Sequence, residues 1–270
     1  MLSDIEQRIK AKIEAAGTPL KDWDINIYRG ILTGYNEAFI ISGEKKQEIL
    51  ANCKTVEERI KTDELIRPIL RGKDIKRYGY NFADKWLINT HNGIKEKGVK
   101  PIDIKDYPAI KKYLDAFYPE LEKRSDQGDT LYNLRNCAYT DDFSKQKIIF
   151  QEMVQEPSFI FDEEGKYMCL DTARIITGKD LEILLSVLNS KLFFYAVKMF
   201  YGGGGLGETG IRMKHTFFEN FPMPKFTQEK QREIKKLVQN PIEQNLKNVD
   251  TILYKAFELE KEEVDFIESQ

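Results

Sequence analysis

Five cations, Arg67, Arg71, Lys73, Lys76 and Arg77, fall within eleven residues of the stretch LIRPILRGKDIKRYGY (65–80), and the only acid there is Asp74. The whole chain has a formal net charge of −2, so this is a local excess that points to an anionic partner at one place. Guanidinium forks match phosphate oxygens and the paired acceptors of guanine, which makes recognition the chemistry on offer. Pro68 and Gly72 interrupt any long helix, because proline lacks an amide hydrogen and glycine carries the largest backbone entropy cost. The cations are therefore expected on a turn or short strand. The alternative is a solvated run of charge.

Two polar loops add groups suited to base edges. Thr33, Tyr35 and Asn36 form one, and asparagine is the usual bidentate partner of adenine; ordinary turn chemistry explains the same residues. Asn89, Thr90, His91 and Asn92 form the other, with a structural histidine as the alternative for His91. Arg212 and Lys214 follow the glycine run GGGGLGETG (202–210), a loop able to close onto a duplex or simply to let neighbouring elements pass. Arg124, Arg135, Lys145 and Lys147 are lesser candidates for backbone contact, or solvated charges. A competing catalytic reading, as a nuclease or divergent transferase, would draw on the scattered carboxylates Asp129, Asp141, Asp142 and Asp171.

Several chemistries find no motif. There is no GxxxxGK[ST] phosphate loop, no GxSxG elbow and no HExxH helix. The GGGGLG run follows a helical pattern, where a dinucleotide fingerprint needs a strand. The Asn/Asp-Pro-Pro-Tyr/Phe tetrapeptide of amino-group DNA methyltransferases is absent. Cys53, Cys137 and Cys169 are odd in number and far apart, and His91 and His215 are the only histidines; neither a disulfide framework nor a His-rich metal site is expected. No apolar run reaches the roughly 18–20 residues of a membrane span. The opening MLSDIEQRIK is charged and amphipathic, unlike a signal peptide, so a cytoplasmic protein is expected.

The elements that must position these groups are legible from periodicity. Ile5, Ile9 and Ile13 predict a helix ending near Gly17. Residues 23–41 read as two strands joined through the turn 33–36, and 45–65 as helical, with Ile49, Val56, Ile60 and Leu65 as its apolar positions. A strand is expected over 85–90, a helix over 109–124, and strands over 147–153, 158–162 and 167–176, the last two joined by a hairpin turn at 163–166. The longest helix is expected over 180–201, its apolar stripe including Leu185, Leu188 and Phe193. From Thr227 onward, apolar residues spaced by threes and fours across Asn240-Pro241 predict a charged helical hairpin or spacer.

Taken in order, seven segments resemble the C-terminal specificity region of adenine-specific DNA methyltransferases of the TaqI-like and type IIG restriction-modification kind. They are RGILTGYNEAFII (29–41), ELIRPILRGKDIKRY (64–78), WLINTHNG (86–93), KIIFQEM (147–153), SFIFDEEGKYMCLDTARIITG (158–178), LSVLNSKLFFYAVK (185–198) and GGGGLGETGIRMKHTFFENFPMP (202–224). The Arg-Pro-x-x-Arg-Gly-x-Asp-Ile segment and the Leu-Asn-Ser-Lys helix are the most distinctive. The resemblance implies an α+β fold: a mixed, mostly antiparallel sheet flanked by helices as target recognition domain (21–225), preceded by an N-terminal helix and linker (1–20) and followed by the helical spacer (226–270). It also implies sequence-specific recognition of double-stranded DNA, without catalytic motifs in this chain. Thr33, Tyr35, Asn36, Arg67, Arg71, Lys73, Lys76, Arg77, Asn89, His91, Arg212 and Lys214 are then the expected DNA-binding residues. The partner is a catalytic methyltransferase or nuclease portion, in cis or in trans. S-adenosylmethionine and magnesium belong to that portion, and no cofactor is expected here.

Overall fold

The structure, a computed structural model, describes residues 2–202 and 210–270. The glycine run, for which a loop closing onto a duplex is expected, lies outside the described residues from 203 to 209. The first helix, α1 (Asp4–Ala15), begins at a capping box in which Ser3 and Glu6 satisfy each other's backbone amides, and it buries Ile9 and Ile13.

Two four-stranded sheets follow from eight strands: β1 (Ile25–Arg29), β2 (Ile40–Ser42), β3 (Ile66–Leu70), β4 (Lys85–Ile88), β5 (Lys147–Gln151), β6 (Phe159–Asp162), β7 (Met168–Cys169) and β8 (Ala173–Gly178). The first sheet runs β6-β5-β8-β1 and is antiparallel throughout. The second runs β7-β3-β4-β2, with β7 parallel to β3 and the other pairs antiparallel. The fold is thus α+β with mostly antiparallel sheets.

The first sheet is covered on both faces, which explains the unbroken apolar run in KIIFQ. Ile148, Phe150, Phe159 and Ile176 point into a core shared with the helices, whereas Ile149, Ile160, Ala173 and Ile175 point into a second core shared with the other sheet. The helical layer comprises α1, α6 (Leu181–Leu188), α7 (Lys191–Met199), α8 (Gln228–Gln239), α9 (Glu243–Ala256) and α10 (Lys261–Glu268). Over the second sheet lie α2 (Gly43–Ala51), α3 (Val56–Leu65), α4 (Pro108–Asp115) and α5 (Tyr118–Lys123). Ile234, Leu253, Phe257 and Ile267 of the C-terminal helices share the first core with Phe193 and Phe221.

Several expected elements divide. The strands predicted on either side of the turn 33–36 join different sheets and form no hairpin. The helix predicted over 180–201 is two helices: Ser190 stops the first and caps the second, accepting from the Phe193 amide at 3.0 Å. The helix predicted over 109–124 breaks at Phe117, and the C-terminal hairpin has three helices. Val56 and Ile60, read as apolar contacts of α3, are 75% and 56% exposed.

Candidate nucleic-acid interface

The basic stretch leaves β3 through a tight turn, and the structure gives its five cations different fates. Arg67 donates from Nη2 to the carbonyls of Gly165 and Lys166, at 3.1 and 3.3 Å, pinning the turn 163–166; the strands on either side of it, β6 and β7, join different sheets, so the hairpin expected there does not form. Arg71 closes its fork on Asp74, with Nε and Nη2 at 2.9 and 2.8 Å, while its own amide donates to the same carboxylate. Burial pushes the Asp74 carboxyl up, but the Arg71 contacts outweigh it and hold it below the ordinary range. Arg77 donates to the Asn189 carbonyl at 2.9 Å and approaches Asp250 at 3.6 Å. The expected rim of five cations is therefore divided: three arginines tie the fold together through internal acceptors.

Lys73 and Lys76 are exposed, and neither has a carboxylate within salt-bridge reach among the described residues. Both line a groove of about 510 Å³ with Ile75, Gln151, Met153, Val154, Gln155, Glu156, Ser158 and Gly210. Arg212 borders this groove, since its short strand Ile211–Arg212 pairs with Met153–Val154. Arg212 Nε lies 2.9 Å from Glu152 Oε1, and Glu152 also receives Arg174 at 3.1 Å. Burial raises the Glu152 carboxyl, and the two guanidinium groups more than reverse this, leaving it low. Lys214 is half-buried next to this strand.

Asn89 and His91 of the second polar loop line a smaller cleft of about 200 Å³ together with Arg29, Leu32, Arg135 and Thr140, whereas Thr33, Tyr35 and Asn36 of the first loop do not line it. Asn89 Oδ1 is buried there with no partner among the described residues. His91 accepts the Gly93 amide on Nδ1 at 3.1 Å, and burial lowers its pKa, favouring the neutral ring. Thr33 is buried, with its hydroxyl 2.6 Å from Asn36 Oδ1 and accepting the Tyr35 amide at 3.2 Å. Tyr35 leans edge-on against Phe117, and Asn36 is exposed. The turn Asp171-Thr172 links cleft and groove: Asp171 receives Arg29 at 3.2 Å, and the Thr172 carbonyl and hydroxyl accept the amides of Glu152 and Gly72.

Sequence reasoning misplaced two supposedly solvated cations. Lys147 is fully buried and paired across the sheet with Asp162, which also accepts the amides of Lys166 and Tyr167. Arg124 is buried and donates to the carbonyls of Thr33, Asp126, Leu131 and Asn133. Desolvation brings its pKa down to about 10. Gln151, Met153 and Gln155 were missed as groove residues; the clue was the polar and thioether cluster that ends the apolar run of β5. The carboxylates of the catalytic reading are dispersed: Asp141 pairs with Lys97, Asp142 with Lys145 and Asp171 with Arg29, while Asp129 accepts from Asn92. Among the described residues no group of three or more His, Cys, Asp or Glu side chains is placed to hold a metal, and no helix is long and apolar enough to cross a membrane.

The profile of TaqI-like C-terminal specificity domains matches residues 67–223, more than half of the chain. The chain belongs to this family. Its fold recurs in MmeI, a type IIL restriction-modification enzyme solved in complex with DNA, at TM-score 0.61 and 12% identity, covering 89% of this chain and 33% of that one. The type IIG restriction endonuclease BpuSI matches at TM-score 0.56 and 14% identity, over 87% of this chain and 28% of that one. This TaqI-like specificity domain thus spans about a third of the length of those enzymes.

Proposed function

We propose that this chain recognises a specific double-stranded DNA sequence as the specificity portion of an adenine-specific methyltransferase or type IIG restriction-modification enzyme. Base modification and any strand cleavage belong to a separate catalytic portion, in cis or in trans, which supplies S-adenosylmethionine and magnesium chemistry in the cytoplasm. The observation that carries this reading is the groove holding Lys73 and Lys76 and edged by Arg212, inside the segment that matches the specificity-domain family. Solvated lysines on one rim neutralise phosphates and set the position of a domain on the duplex. Polar side chains on the groove floor are then brought to base edges.

Selection of bound sites from random duplexes tests the proposal. One short preferred site is expected, with affinity falling steeply as salt rises. Binding that ignores sequence at every salt concentration, or no binding at all, would refute it. Plasmid incubated with the chain, magnesium and S-adenosylmethionine is expected to be neither methylated nor cut; either activity would favour the catalytic alternative.

A further inference from the structure

The short antiparallel ribbon Met153–Val154 with Ile211–Arg212 has two unlike faces. Val154 and Ile211, paired with each other, are buried at its root, whereas Met153 and Arg212, the adjacent residues along each strand and likewise paired in register, point outward, Met153 at 54% exposure. A thioether side chain left this far in water forgoes the burial that would stabilise it elsewhere. Beyond it, Gln155 and Glu156 are exposed along the same groove, and Lys73 and Lys76 line it as well. Glu152 holds Arg212 through Nε, the guanidinium's one hydrogen bond among the described residues, which leaves the end-on fork of its two terminal nitrogens for another acceptor. Arg174 in turn anchors Glu152.

We infer that this ribbon is the base-reading edge of the domain: it enters the major groove with Arg212, Met153 and Gln155 against base edges while Lys73 and Lys76 hold the flanking phosphates. The inference rests on the DNA reading above and names the residues that decide sequence. The major groove admits a two-stranded ribbon, and each side chain has a matching edge there. The terminal nitrogens of Arg212 fit guanine O6 and N7, Gln155 fits adenine N6 and N7, and the Met153 thioether fits the thymine methyl. Glu152 is a positioning residue, acting on sequence choice through Arg212.

The test is site selection with the full chain and with Arg212→Gln, Gln155→Ala, Met153→Ala, Glu152→Gln and the double variant Lys73→Ala/Lys76→Ala. Arg212→Gln is expected to lose discrimination at one guanine by roughly tenfold, with binding to unrelated duplex nearly unchanged. Met153→Ala and Gln155→Ala relax other single positions. Glu152→Gln relaxes the same guanine as Arg212→Gln, which a purely structural role would not do. The lysine variant weakens all duplexes alike and lowers the salt slope by about 2. Should the ribbon variants select the wild-type site with wild-type discrimination, the ribbon assignment is overturned while DNA recognition stands. A wild-type chain with no sequence preference overturns both.

Discussion

The buried ions show most directly what individual residues do here. Lys147 sits at zero exposure, and its charge is tolerated only because Asp162 and the Phe143 carbonyl face it. Desolvation disfavours the ammonium, with Asp162 opposing that effect. Asp162→Ala is expected to destabilise by about 3 to 5 kcal/mol, because it strands the ammonium and also frees the turn amides of Lys166 and Tyr167; urea denaturation measures it. Arg71 and Arg77 make a related point. As ligands of Asp74 and of the Asn189 carbonyl they support the fold, so Arg71→Ala and Arg77→Ala should lower the melting temperature by a few degrees. Between them and Lys73→Ala/Lys76→Ala, the lysine variant should show the larger loss of DNA affinity per degree of melting temperature lost.

The acids predict a pH dependence with a definite sign. Asp74 and Glu152 have folded-state pKa values below their ordinary 3.8 and 4.5. The stability they contribute is present above those unfolded values and is lost as pH falls through the lower folded ones, since the unfolded chain takes up protons first. Asp250, whose carboxyl burial pushes up despite Arg77, acts in the opposite sense: its contribution is present below its unfolded value and is lost as pH rises through the folded one. Stability measured by denaturation should fall below about pH 4.5, and Asp74→Asn should flatten part of that fall. A slope unchanged by Asp74→Asn would contradict the assignment.

Among elements, the join between α6 and α7 does the most positioning. Asn189 pairs with the backbone of Phe159 through both amide atoms, at 3.1 and 2.9 Å, so it satisfies an edge strand from the helical side. Its carbonyl receives Arg77. This is the physical content of the Leu-Asn-Ser-Lys segment: one residue links the helix pair, the sheet edge and the end of the basic stretch. Asn189→Ala leaves the buried Phe159 amide unpaired, while the Phe159 carbonyl keeps the Tyr78 amide at 3.1 Å, and is expected to cost about 1 to 3 kcal/mol, read by thermal unfolding. Ser190→Ala, removing a helix cap, should cost only about 1 kcal/mol. The periodicity of 180–201 announced helix correctly, yet it was silent about the break, because the apolar stripe continues across Asn189 and Ser190 while the caps lie in side-chain geometry.

Taken whole, the first sheet lies between two cores, with the C-terminal helices closing one of them and the second sheet bounding the other. Ile234, Leu253 and Phe257 are nearly inaccessible because they pack among the residues that cover β5 and β6. Deleting 226–270 should therefore expose the inner side of α6 and α7 and abolish cooperative unfolding; a truncated chain with an unchanged sharp transition would show that the tail is an independent unit. The groove and the smaller cleft lie on either side of the turn Asp171-Thr172, so strain introduced there reaches both. Gly72 makes this junction tight: a methyl group at its position would lie 3.1 Å from the Gln151 side chain and 3.2 Å from the Thr172 carbonyl.

The sequence alone determined the mixed fold class, the apolar residues Leu185, Leu188 and Phe193 as core, and the family, because periodicity and an ordered series of local segments are properties of the chain itself. It also located the basic stretch. Which cations in that stretch face water was settled only by tertiary contacts. Arg67 and Arg77 meet acceptors as distant in sequence as Gly165, Asn189 and Asp250, and Arg71 closes on Asp74 three residues away, whereas Lys73 and Lys76 stay exposed. Charge is written residue by residue, but solvation depends on what the rest of the chain brings alongside.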